Sequence, residues 1–178
     1  MVTSAAVASH APDSSGEARE AHAWQVLADV PDPEIPVISV VDLGVIRHVH
    51  ATADGGLEVG LSPTYSGCPA SAVIEQHVTA ALDAAGCGAV RVVPVLAPPW
   101  SSDWLSAAGR RKLEQYGIAP PAEAVASPRE LWRKPPNVRC PRCNSCNTRE
   151  TSHFGSTPCK ALYRCDSCLE PFEYFKCI

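Results

Sequence analysis

Near the end of the chain, Cys140-Pro-Arg-Cys143 and Cys165-Asp-Ser-Cys168 form two Cys-x-x-Cys pairs separated by 21 residues. A two-residue insert closes a turn tight enough for two thiolates to grip one ion from the same side. Two such turns on adjacent hairpins complete a tetrahedral set. The segment after Asn137 is too short for a core of its own, so an ion there would supply much of its folding free energy. A β-rich zinc ribbon with four cysteine ligands is therefore predicted over 138–178. Its zinc is structural, because a closed four-thiolate set serves folding and docking, not catalysis. Seven cysteines fall in the last 39 residues, so Cys146, Cys159 and Cys177 are further thiols within reach of the metal site. Cys146 could replace Cys143, and four thiolates also hold iron-sulfur clusters. Taken singly, each of the three also reads as a small buried apolar residue.

The rest of the composition narrows the class. Nine cysteines, an odd number grouped in Cys-x-x-Cys pairs, point to metal or thiol chemistry in a reducing compartment and not to a disulfide frame. The net charge is −4, and the ribbon's own basic surplus is two, which leaves −6 on the remainder. A chain so charged is not built to coat nucleic acid or an anionic membrane. Phe172, Tyr174 and Phe175 then read as the ribbon's small core rather than as base-stacking platforms. No apolar run reaches the roughly 18 residues of a membrane span, and the N-terminus lacks a secretory h-region. A cytoplasmic location follows as the expectation.

Upstream, residues 1–18 carry no apolar period and read as a disordered leader. Trp24, Leu27 and Val30 recur at helical spacing until the prolines of 31–36 stop the helix. Val45, Arg47 and Val49 lie on a strand, Asp54-Gly55-Gly56 turns it, and Leu57, Val59 and Leu61 alternate on a second. Pro69 suits a first helical position, and Ile74, Val78, Ala81, Leu82 and Ala85 mark a helix ending at Gly86. A third strand at 89–95 and a third helix ending at Gly117 complete an α/β class layer, 19–118, of helices on a short mixed sheet. The proline-rich stretch 119–137 reads as a linker to the ribbon.

Cys68, just before Pro69, sits at or beside a helix N-cap, where free N–H groups and the helix dipole favour an anion and lower a thiol pKa. A nucleophile, an open ligand for iron or zinc, and a buried capping cysteine are all compatible with that position. His77 falls within the helix's apolar stripe and reads as partly buried, while His48 and His50 share one strand face as a metal pair or as its polar side. Asp32 and Glu34 on the proline-rich loop read as turn chemistry, an Asp capping beside a proline.

The motifs Asp32-Pro-Glu34, Asp42-Leu-Gly44 and Thr64 to Gly67-Cys68-Pro69 closely resemble those of the MIP18-like, SufT-like domain of iron-sulfur assembly factors. The run from Cys140-Pro-Arg-Cys143 through Phe154 to Cys177 resembles the ribbon of one branch, the D-subunit family of the phenylacetyl-CoA epoxidase complex of phenylacetate degradation. Together the two resemblances cover nearly everything from about residue 20 onward. They imply a helper of a multicomponent di-iron oxygenase that is fed by a flavin and iron-sulfur reductase and converts the aromatic thioester to a ring epoxide. The helper would be a maturation factor, its partners the oxygenase and reductase subunits, iron-sulfur assembly proteins and a second copy of itself. Carried over residue by residue, Cys68 would handle transient iron or an iron-sulfur cluster, with Asp32 and Glu34 on the neighbouring proline-rich loop as oxygen ligands or partners. Cys146 has no counterpart in the family pattern. The chain holds neither paired Glu-x-x-His helices nor a Gly-rich dinucleotide fingerprint, so the oxygen and hydride chemistry would belong to the partners. An integral electron-transfer or structural subunit is the other reading.

Overall fold

The computed structural model describes residues 14–65, 70–122 and 137–176. Helix α1, Ser14–Ala28, opens it and buries Ala23 and Leu27. It begins inside the stretch read as a leader, which corrects that boundary: residues 14–18 are helical, with Glu17 in the first turn, where the helix dipole favours an acidic side chain. Residues 1–13 lie outside the description.

The loop after α1 closes on itself through backbone bonds from Asp32 to Ile38 and from Val40 to Val30, both 2.9 Å. This geometry tolerates three prolines because the donors it uses belong to other residues. Strand β1, Ile46–Ala51, pairs antiparallel with β2, Leu57–Leu61. Helix α2, Ala70–Ala84, carries the chain over to β3, Val90–Pro94, which pairs parallel with β2. The sheet is therefore mixed, with β2 central. Ala70, Ile74, Val78 and Leu82 recur every fourth residue on the buried side of α2. His77 falls off that stripe and is exposed, which corrects its expected burial.

The third helix is shorter than predicted. A 3-10 turn, Ser102–Trp104, precedes α3, Ala107–Tyr116, because the Ser106 side chain caps a new start by accepting from Gly109 N at 2.8 Å. Asp42 latches this helix to the layer: its carboxylate accepts from Ser106 Oγ at 2.7 Å and from Lys112 Nζ at 2.6 Å. Gly44, at φ +72°, lies so close to Trp104 that a Cβ there would stand 2.5 Å from its carbonyl oxygen. The Asp-Leu-Gly motif is thus structural here.

Beyond Gly117, β4, Ile118–Ala119, pairs with the last strand of the ribbon, so it straddles the expected boundary at 118 and adds an edge to the ribbon sheet. That sheet contains β5, Thr148–Ser152, β6, Lys160–Cys165, and β7, Pro171–Phe175, in the order β4-β7-β6-β5. Along β7, Phe172 and Tyr174 pack with Tyr163 in the ribbon's own cluster. Phe175 instead joins the core of the α/β layer, edge-on to Trp100 at 6.1 Å, which corrects its expected place in the ribbon core. Strand alternation accounts for this split, since residues one apart face opposite sides. Trp100 in turn donates to Leu43 O at 3.1 Å. The two layers share a packed seam.

Candidate metal centre and the seam cleft

The two knuckles of the ribbon repeat one backbone pattern. Cys140 N donates to Ser145 O at 2.9 Å and Cys165 N to Glu170 O at 3.0 Å, each spanning five residues. The residue after each second cysteine, Asn144 or Leu169, has positive φ, which reverses the chain back over the sulfurs. Backbone N–H groups of Arg142 and Cys168 point at the Sγ atoms of Cys140 and Cys165. Across the knuckles, Cys140 and Cys168 bring their sulfurs to 3.7 Å, and Cys143 and Cys165 to 3.6 Å.

All four sulfurs lie within 4.8 Å of one another. Sulfurs bound tetrahedrally at about 2.3 Å from one ion stand about 3.8 Å apart, so the donor set fits a zinc-sized ion. The N–H of Cys168 leads in pulling the Cys165 thiol down to about 6. Cys168 is pushed up to about 12, because burial and the neighbouring thiols outweigh the N–H of Glu170. Four thiolates this close ionise together only around a cation. When bound, zinc would supply cross-linking of the two hairpins.

The remaining thiols part company here. Cys146 is exposed and outside the four-sulfur group, and Cys177 lies beyond the described residues. Cys159 is buried, but in the core of the α/β layer. A ribbon ligand at either Cys146 or Cys159 is therefore corrected: neither joins the cluster, since the turn at Thr157 to Lys160 directs Cys159 toward the seam.

At the seam, a small cleft is lined by Asp32, Glu34, Ser62, Thr64 and Cys159, with Phe175 among its apolar walls. Asp32 is 4% exposed, and its Oδ1 accepts from the backbone N–H groups of Glu34 at 2.9 Å and Ile35 at 2.7 Å. That is turn chemistry and cleft lining in one residue. Burial raises its pKa despite these bonds. Glu34 is raised first by burial and then by Asp32.

Opposite them, the Cys159 Sγ–H donates to Glu34 Oε2 at 3.8 Å and lies 3.0 Å from Thr157 Oγ1, and burial pushes this thiol up to about 11. Lys160 is the nearby cation, but its Nζ is held by Glu173 at 2.8 Å. Ser62, 1% exposed, has an Oγ with no hydrogen-bond partner among the described residues.

Cys68 lies in the 66–69 stretch, outside the described residues; Thr64 and Ala70, on either side of it in the chain, both line the cleft. The proximity of Cys159 to Glu34 escaped the sequence reading. The one signal that could have found it was a cysteine out of step with both knuckles.

His48 and His50 stack at 4.7 Å, with His48 Nε2 3.5 Å from Glu58, on the outer strand β1. Gly60 beneath leaves room for that ring. No helix among the described residues is long and apolar enough to cross a membrane.

Comparison with known proteins matches these two regions separately. Residues 20–93 match the family of iron-sulfur cluster assembly proteins, and residues 124–176 match the PaaD zinc beta ribbon domain. A crystal structure of the DUF59 domain of unknown function from Bacillus anthracis superimposes with a TM-score of 0.52 at 29% identity, over 56% of this chain and 94% of that one. The "Fe-S protein maturation auxiliary factor" of Porphyromonas gingivalis is 36% identical over 46% of this chain and 78% of its own length. The Escherichia coli protein named as the D-subunit of a "Putative 1,2-phenylacetyl-CoA epoxidase" is 48% identical over 87% of this chain and 91% of its own length. With an assembly-type α/β layer and a PaaD ribbon joined in one chain, and that identity along nearly all of it, this protein belongs to the PaaD family.

Proposed function

We propose that this chain is an accessory protein of a multicomponent phenylacetyl-CoA epoxidase and helps assemble iron or iron-sulfur cofactors in its oxygenase or reductase components. The observation that carries this is the seam cleft, where two carboxyls with raised pKa values and a thiol meet between an assembly-type layer and a docking ribbon. Iron is cargo here, not a resident cofactor. Cys68, adjoining the cleft in sequence, is the thiol that would receive iron or sulfide, and Asp32 and Glu34 would be the oxygen donors. An ion bound there would relieve the unfavourable burial of these carboxylates. Thiolate and carboxylate together suit a borderline ion such as iron(II) better than a purely oxygen-seeking one. The ribbon would hold zinc through Cys140, Cys143, Cys165 and Cys168 and present a folded face to a recipient subunit.

The name of the Escherichia coli relative supports an association with the epoxidase complex, and it favours a second reading, an integral electron-transfer or structural subunit. One experiment separates the two. The oxygenase and reductase are produced with this chain, without it, and with its Cys68→Ala form, and their iron and acid-labile sulfide are measured. Assembly predicts under-metallated partners in the last two preparations. Full metallation with activity still missing would replace that reading with the integral one.

A further inference from the structure

The two thiol sites of this protein are read above as a ribbon ion and a cargo thiol on the α/β layer, and Cys159 belongs to neither. It is nevertheless the one described ribbon thiol that reaches a carboxylate of the other layer, Glu34, 125 positions earlier in the chain. Two donors at about 2.1 and 2.3 Å from a single tetrahedral ion stand about 3.6 Å apart. Glu34 Oε2 and Cys159 Sγ, at 3.8 Å, already have nearly that separation.

The surroundings also lack an uncommitted cation among the described residues. Asp32 and Glu34 both line the cleft, while the buried amine beside them, Lys160, is engaged by Glu173. Ser62 adds an independent sign: its Oγ is buried at the same cleft without a partner among the described residues, and buried hydroxyls are ordinarily satisfied.

We propose that Glu34 and Cys159 are paired ligands of a second metal site, built across the seam, for a borderline divalent ion such as iron(II) or cobalt(II). Asp32 and Ser62 are the polar groups behind it. On binding, the thiol proton that now lies between sulfur and Oε2 leaves to solvent, and the ion takes its place. Water or cargo ligands fill the other positions. The site deepens the assembly reading and rests on it for the ion's identity. It makes the ribbon a contributor to the cargo site and not only a dock.

The test uses the full-length chain with its ribbon loaded with zinc, titrated with cobalt(II). Thiolate-to-cobalt charge-transfer absorption reports sulfur ligation, and elemental analysis counts both metals. The expected result is one cobalt per chain beside retained zinc, weakened about tenfold or more in Cys159→Ser and in Glu34→Gln. Glu34 is only half-buried, so Glu34→Gln carries the test if the core variant fails to fold. Absence of a second ion, or one bound equally well by both variants, overturns the proposal. The outcome is separable from the assembly reading. If partners load fully without this chain but the cobalt site survives, the function falls and the site stands; lost cobalt binding with partner loading still dependent on the chain does the reverse.

Discussion

The two thiol regions of this molecule are built on opposite terms. At the ribbon's two knuckles each of the four sulfurs faces another, N–H groups point at Cys140 and Cys165, and Ser145 and Ser167 join the knuckles at 2.8 Å. At the seam, among the described residues, two carboxyls share a cleft with one thiol, the nearby lysine is committed elsewhere, and a serine hydroxyl lacks a partner. A saturated ligand set stabilises a fold and resists exchange, whereas an under-satisfied one leaves free energy available for binding. The contrast is in keeping with the proposed roles, a resident ion in the ribbon and a passing one at the seam.

The largest break in this comparison should come from the ribbon. Structural zinc of this type binds with about 10 to 16 kcal/mol of apparent free energy. Cys140→Ala, or strong chelation, should therefore unfold β5 to β7, read as lost strand signal in circular dichroism and lost amide protection there. Retained protection would mean that the ribbon folds without metal.

Next in size is the seam itself. Phe175→Ala removes the ribbon's buried anchor from the α/β core and should cost about 3 to 5 kcal/mol in denaturant unfolding. Splitting of the transition into two would identify Phe175 as what couples the layers. Gly44→Ala combines a positive φ with a clash against Trp104 and should cost more than about 2 kcal/mol.

The cleft should respond to pH with a sign of its own. Asp32 and Glu34 have raised pKa values in the folded protein, so the folded state holds their protons more tightly than the unfolded state. Their contribution to stability falls as pH rises from the ordinary carboxylate range through the raised values, and the penalty is complete above them. Asp32→Asn, whose Oδ1 still accepts both N–H bonds, should therefore raise the neutral-pH denaturation midpoint while reducing metal loading of the partners. A lower midpoint would mean that the charge is satisfied as it stands. Asp42 and Glu173 run the other way: burial raises both, but Lys112 and Lys160 outweigh it, and their contribution is lost as pH falls through the lowered values. The smallest effect belongs to Cys146→Ser, an exposed position outside the cluster, expected within about 0.5 kcal/mol by thermal unfolding.

Much of this was legible in the chain because it is local. Two Cys-x-x-Cys turns carry their own geometry, alternation marks β2, and the four-residue recurrence of Ile74, Val78 and Leu82 marks α2. What escaped was set by docking. The third helix broke at Ser106 because that side chain could cap it. Phe175 left the ribbon's core because strand alternation turned it toward Trp100.

By itself the sequence determined the presence of two layers, one of them carrying a four-cysteine ligand set, since short-range spacing encodes turns, strands, helices and chelating pairs. Only the tertiary structure decided that Cys159 stands against Glu34 and that the two layers share one cleft. That contact depends on the Phe175 and Trp100 seam, which brings together residues 125 positions apart, and no local periodicity records it.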